Sequence, residues 1–134
     1  MNNLMSYQVS DRLPIKVWAP NHLQIRQYSE VSGDFNPIHL DDNYAIRAGL
    51  GGVIAHGMLT MAHMAAMLTE WIGQEGNIVM LSVRFEQMVR PGNKITFYGI
   101  ISERVEKTLV CNLEARNENE EKVISGLAKI SINN

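Results

Sequence analysis

Residues 57–72 read Gly57-Met58-Leu59-Thr60-Met61-Ala62-His63-Met64-Ala65-Ala66-Met67-Leu68-Thr69-Glu70-Trp71-Ile72. A helix over this stretch has almost no polar face, and a helix that is apolar all round is expected to be buried all round. Methionines 58, 61, 64 and 67 recur every three residues, which suits an adaptable core or the wall of an apolar tunnel. Something must cover this helix, and the rest of the chain supplies it. Val79, Leu81, Val83 and Phe85 alternate with other residues, as do Ile95, Phe97, Gly99 and Ile101 after the Pro91-Gly92-Asn93 turn. Leu109, Cys111, Leu113 and Ala115 follow, then Ile124, Gly126, Ala128, Ile130 and Ile132 after an acidic turn around Asn119. Period-two alternation of this kind predicts strands with one buried face. The expectation is an α+β architecture, four antiparallel strands in a meander curled around one buried helix, because sheet face and helix each need the other for burial. Leu127 and Val110 fall opposite the inward set, so the outer sheet face is partly apolar and a second copy is expected to pack there.

Upstream, Leu13 to Trp18 alternate weakly. Pro20 and Asn21 read as the end of a strand and a helix N-cap, with Gln24 three residues on as the capping-box partner. A helix from His22 to about Val31 would place Leu23, Ile25, Tyr28 and Val31 near one face, and Ser32-Gly33 would stop it. Asp34 to Leu40 is polar and contains Pro37, which predicts an ordered loop. Asp41 and Asp42 are placed to cap a short helix through Ala48, ahead of the glycines at 49, 51 and 52.

The chain has 134 residues, with 12 basic and 14 acidic side chains for a formal charge of -2, and a sequence pI near 6.1. One domain spanning 1–134 is expected at this length. The charge balance gives no general attraction for nucleic acid or an anionic membrane surface. Cys111 stands alone, so no intrachain disulfide is possible, and the first twenty residues lack a basic start and apolar run. No stretch reaches the roughly 18 consecutive apolar residues that span a membrane. A soluble, cytoplasmic protein is expected.

The densest polar cluster is Tyr28-Ser29-Glu30-Val31-Ser32-Gly33-Asp34-Phe35-Asn36-Pro37-Ile38-His39. A loop fixed by Gly33 and Pro37 can aim Asp34, Asn36 and His39 at one point, and an Asp–His pair suits acid/base work because their ordinary pKa values straddle neutrality. The competing reading is that Asp34 and Asn36 only make Asx turns. In Ile54-Ala55-His56-Gly57-Met58, Gly57 opens the apolar helix and presents unpaired backbone N–H groups at its positive end, where a developing oxyanion is stabilised. The plainer alternative gives Gly57 to close packing and His56 to capping. His63 reads as a hydrogen-bonded core histidine, and His22 as solvated. A dinucleotide fingerprint, an EF-hand loop, a zinc ligand set and a Gly-x-Ser-x-Gly elbow are all missing.

The string Tyr28-x-x-Val31-Ser32-Gly33-Asp34-x-Asn36-Pro37-Ile38-His39, followed after sixteen residues by His56-Gly57-Met58-Leu59, resembles the MaoC-like dehydratase family that includes (R)-specific enoyl-CoA hydratases. The similarity extends through the helix to Val83-Arg84-Phe85 and Arg90-Pro91-Gly92. It implies a hot-dog fold, a long helix wrapped by an antiparallel sheet, and the length implies a single hot-dog rather than a fused double one. Residue by residue, the resemblance makes Asp34 and His39 the catalytic pair, Asn36 the site-ordering residue, and Gly57 the backbone N–H donor to the thioester carbonyl. One position departs: some members carry a serine eight residues after that glycine, where this chain has Ala65.

The activity so implied is reversible addition of water to a trans-2-enoyl-CoA, with coenzyme A entering as part of the substrate and no cofactor or metal required. An alternative is a 3-hydroxyacyl dehydratase acting on acyl-carrier-protein substrates, alone or as the catalytic half of a heterodimer. An acidic carrier would need a basic patch, for which Arg84, Arg90 and Lys94 are candidates. A non-catalytic acyl-thioester-binding hot-dog and a thioesterase are further readings. A homodimer is expected, since a small curled sheet leaves an edge strand and an apolar patch uncovered.

Overall fold

The computed structural model describes residues 3–134, so Met1 and Asn2 of the expected 1–134 domain lie outside the described residues. In chain order the elements are β1 (Lys16–Trp18), α1 (His22–Ser32), α2 (Asp42–Arg47), α3 (Gly57–Ile72), β2 (Gly76–Phe85), β3 (Ile95–Val105), β4 (Thr108–Arg116) and β5 (Lys122–Ile132). Short 3-10 turns lie at Leu4–Ser6 and Pro37–His39.

The helix expected over 57–72 has those bounds. Leu59, Thr60, Met64, Met67, Leu68, Trp71 and Ile72 are buried along it. They meet the inward set of the sheet, which includes Ile95, Phe97, Ile101, Leu109, Cys111, Leu113, Ala115, Ile124, Ala128 and Ile130. Each large apolar side chain buried in this way contributes about 1.5–3 kcal/mol. Gly126 belongs to the inward face because the helix comes close there: a Cβ would stand 3.6 Å from Met64 Sδ and 3.1 Å from the Ser82 carbonyl. Burial on every side is not what the single chain shows. Met58 is 55% exposed, and Ala62, Thr69 and Glu70 are exposed, because a sheet supplies only one wall to a helix.

The sheet is α+β as expected but has five strands in the order β1-β3-β4-β5-β2, all pairs antiparallel. Only β3, β4 and β5 form a meander. β2 pairs with β5, Gly76 opposite Ile132 through Phe85 opposite Ile124, so residues 86–94 skip two strands to reach β3. The short β1 joins the far side, Val17 opposite Thr96. Alternation reports which face a residue occupies and carries no information about which strand is its neighbour. In β2 the register shifts between Ile78 and Met80. Ile78, Leu81 and Val83 pack on the core, while Val79 is exposed, since the extra residue of a bulge turns one side chain out of phase; Phe85 keeps the phase of Leu81 and Val83 and is half exposed at the end of the strand.

Asn21 caps α1, its Oδ1 accepting from Gln24 N at 2.8 Å, and Gly33 ends it with a φ of 79°. The capping box is half formed, because Gln24 Oε1 accepts from Trp18 Nε1. The buried line of α1 is Ile25 and Ser29, whereas Leu23 and Val31, expected inside, are exposed. α1 turns a serine inward to meet a polar partner, which hydrophobic periodicity does not register. Asp41 caps α2 at Tyr44 N. Asp42 Oδ1 and the Arg90 guanidinium then hold the following glycine loop, through Val53 N and the carbonyls of Leu50 and Gly52.

Candidate active site

Asp34 follows the helix-ending Gly33, in a loop whose turns are built by its own side chains. Asp34 N donates to Ser32 Oγ at 3.2 Å, Asn36 N donates to Asp34 Oδ1 at 3.1 Å, and Ile38 N donates to Asn36 Oδ1 at 3.2 Å. Asp34 and Asn36 therefore do make Asx turns. Those turns leave Asp34 Oδ2 facing His39 Nε2 at 3.9 Å. The Asp34 side chain is 53% exposed and that of His39 is 9% exposed.

His39 is held from its other nitrogen, with Nδ1 2.7 Å from the Ile54 carbonyl. A carbonyl only accepts, so Nδ1 carries a proton, and Nε2, the nitrogen that holds the lone pair when the ring is neutral, is the one that faces Asp34. The strip 53–55 that carries this carbonyl is pinned on both sides, by Ile54 N to Ile38 O at 3.1 Å and Ala55 N to Val89 O at 2.7 Å.

His56 lies against the pair. Its ring stacks on that of His39 with centroids 3.7 Å apart and planes 23° apart, and Tyr28 meets it edge-on at 4.9 Å. His56 Nε2 is 3.1 Å from the Asp34 carbonyl and 3.2 Å from Ser29 Oγ, so that nitrogen bears the proton. His56 is the N-cap residue of α3 but makes no side-chain cap bond, which removes capping as its role. Burial holds its imidazole below the ordinary pKa, against the raising effect of the bond to Asp34.

Gly57 begins α3. Its amide belongs to the first turn, where N–H groups have no intrahelical acceptor and the helix dipole is positive. His39 and Gly57 line one cavity of about 300 Å³, walled by Ile54, Ala55, Thr60, Phe85, Glu86, Gln87, Met88, Val89 and Ile124. Asp34 is not in that wall and stands on the solvent side of His39. A Cβ on Gly57 would lie 3.0 Å from Phe85 Cε1, so the glycine admits the aromatic ring beside the helix start.

One ligand atom from each of Asp34, His39 and His56 lies within 4.8 Å of the others. The stacked rings direct their lone pairs in nearly parallel planes, and His56 Nε2–H is committed to a carbonyl. This set offers hydrogen bonds to a water more readily than converging ligands to a cation.

His63 is half-buried and stacks on Trp18 with centroids 4.0 Å apart. Its Nδ1 makes no hydrogen bond among the described residues, which corrects the expected hydrogen-bonded core role. His22 is exposed, as expected, and Ala65 does not line the cavity. Arg90 donates to the carbonyls of Leu50 and Gly52, neutral acceptors that leave its positive charge in place. The residues sequence reasoning passed over are His56, Ser29, Thr60 and Phe85. A signal existed for His56, because histidine is a poor N-cap compared with Asn, Asp, Ser or Thr.

The family described as MaoC like domain matches residues 5–123. The fatty acid synthase subunit beta of Saccharomyces cerevisiae is 33% identical over 109 residues, which cover 77% of this chain and 5% of that one. The 3-hydroxybutyryl-CoA dehydratase of Methylorubrum extorquens is 32% identical over 96 residues, 68% of this chain and 61% of the relative. The chain thus spans less than two thirds of the length of these relatives. The solved structure of the R-hydratase PhaJ1 from Pseudomonas aeruginosa, unliganded, superposes with a TM-score of 0.89 at 24% identity, covering 96% of this chain and 84% of that one. That likeness gives α3 and its curled antiparallel sheet the hot-dog fold expected from the sequence.

Proposed function

This chain belongs to the MaoC-like domain family, and on that premise we propose that it is a hydro-lyase, an (R)-specific 2-enoyl-CoA hydratase working reversibly as a 3-hydroxyacyl thioester dehydratase. The observation that carries the reading is His39 Nε2, its lone pair set by the Ile54 carbonyl, facing Asp34 Oδ2 at 3.9 Å at the cavity that Gly57 also lines. A water held between the two gives its proton to His39 while Asp34 orients it, and its oxygen attacks C3. Negative charge then develops on the thioester oxygen, where the Gly57 N–H is the donor, a contribution of roughly 3 kcal/mol for such groups. The pair returns the proton to C2 on the same face. Dehydration runs the steps backwards. Coenzyme A is part of the substrate, and the chemistry requires no metal or redox cofactor. Asn36 orders the site by capping the turn that carries His39.

The cavity lies at the low end of the usual ligand-pocket range of about 300–1,000 Å³, which favours a short acyl group. Residues 1–134 act as one hot-dog domain in a homodimer, a second copy packing on the outer face of the sheet, where Val110 and Leu127 are only partly buried; sedimentation showing only a 15.1 kDa species would contradict this. Cytoplasmic action fits the lone, buried Cys111. Among the described residues no helix is long and apolar enough to cross a membrane.

The test is purified protein with crotonyl-CoA, a longer 2-enoyl-CoA and crotonyl-carrier protein. Loss of enoyl absorbance with CoA substrates supports the reading. Turnover confined to the carrier-bound form moves it to the dehydratase of fatty-acid synthesis, release of free thiol makes the protein a thioesterase, and no turnover leaves an acyl-binding module.

A further inference from the structure

We propose that His56 is a positioning residue for this reaction, a neutral plate that fixes the ring of His39 and the backbone of Asp34 together and so sets the gap in which the water sits. The inference rests on the hydratase reading and adds to it a residue which that reading does not use.

Three contacts converge on one buried ring. The face of His56 stacks on His39, with centroids 3.7 Å apart. Its Nε2–H is shared between the Asp34 carbonyl at 3.1 Å and Ser29 Oγ at 3.2 Å. Tyr28 closes the remaining side edge-on. His39 reaches the site on a 3-10 turn, whereas Asp34 comes from the loop after α1, so the two belong to different local structures. His56 touches both, and it does so from the N-cap position of α3, next to Gly57. One side chain thereby ties the proposed base, the water-orienting carboxylate and the proposed oxyanion donor into a single frame.

The ring must be neutral to serve. A second proton would go to Nδ1, which is buried and has no hydrogen-bond partner among the described residues. It would also place a positive charge against the His39 ring just as that ring takes a proton from water. Burial of His56 opposes such charging, and Ser29 supplies a polar acceptor from α1 at the cost of an apolar position on its buried line.

Two variants separate the contacts. His56→Phe keeps a ring against His39 and removes the N–H, while His56→Gln keeps a donor toward Asp34 and removes the plate. With crotonyl-CoA, kcat is expected to fall on the order of 10- to 100-fold in each, with KM changed by less than about threefold, as for a misplacement near 1 Å. In a His39→Gln background, His56→Phe should cost less than about twofold further, since nothing is left to position. Equal losses in both backgrounds, or unchanged kcat in the single variants, overturn the proposal. Nitrogen-15 spectra of the wild-type imidazoles need no variant to fold and no turnover. They should show His56 neutral with its proton on Nε2, and still neutral below the ordinary imidazole value of about 6.5. A proton on Nδ1, or protonation at that ordinary value, also overturns it. Wild-type protein that hydrates no enoyl thioester, yet shows this tautomer, sinks the hydratase reading and leaves the arrangement of His56 standing.

Discussion

His39 Nε2 and Asp34 Oδ2 stand 3.9 Å apart, beyond the roughly 3.2 Å limit of a good direct hydrogen bond and short enough for one water oxygen to touch both. The gap is held from each side. Asp34 Oδ1 is bound by Asn36 N and His39 Nδ1 by the Ile54 carbonyl, so neither group can close on the other without giving up a bond.

Asp34→Asn keeps size and hydrogen-bonding reach but removes the carboxylate, and hydration should fall by roughly 10² to 10⁴. His39→Gln should cost a similar amount. The double variant should lose little beyond either single one, because the pair acts on one water as a unit. Steady-state kinetics on folded variants checks this, and additive losses would assign the two residues separate jobs.

Gly57→Ala places a Cβ 3.0 Å from Phe85 Cε1. Phe85 is about half exposed, 49%, so its ring can shift and the fold should survive with little change in melting temperature. The cavity wall moves with the ring, and kcat/KM should drop on the order of 10- to 100-fold. Gly57→Ala combined with Phe85→Ala should recover part of the loss. A fully active Gly57→Ala would show that the close approach has no bearing on the site.

His56 and His63 both have folded pKa values lowered, first by burial. In the window between each lowered value and the unfolded value near about 6.5, the unfolded chain binds protons that the folded one does not. Their stabilising contribution is therefore complete above about pH 6.5 and is lost as pH falls through that window. Urea midpoints should be lower at about pH 5.5 than at about pH 7.5, and His63→Phe, which keeps the stack on Trp18, should narrow the difference. Equal midpoints in the wild type would contradict the assignment.

Cys111 is buried on β4, and burial pushes its thiol up to about 12. Since the thiolate is the reactive form, alkylation of native protein at mildly alkaline pH should be negligible and should become rapid on unfolding. Stoichiometric labelling of the native chain would show that this strand opens.

Much of this was legible in the residues. The bounds of α3 follow from an apolar run beginning at Gly57, and the inward faces of β3, β4 and β5 follow from alternation. Alternation could not tell that β2 lies beside β5, because pairing is decided by packing around α3. Nor could it reveal the bulge that turns Val79 outward. β1, with three residues, is too short for a period to declare itself. Asp34, Asn36, His39 and Gly57 stood out through motif and spacing, and their proposed roles rest on that together with the distances found. His56 stood in the motif but with capping as its offered role, because its actual partners are a carbonyl, a serine and the face of another ring, contacts that no periodicity along the chain records.

The central claim is that one water, held between Asp34 and His39, adds its oxygen and its proton to the same face of the enoyl group. Hydration of crotonyl-CoA in deuterium oxide, with both new stereocentres of the product determined, tests it most directly. The account predicts (R)-3-hydroxybutyryl-CoA carrying one deuterium at C2, syn to the new hydroxyl, and near-complete loss of its formation with Asp34→Asn. An (S) product, anti addition, or undiminished turnover by folded Asp34→Asn would contradict it.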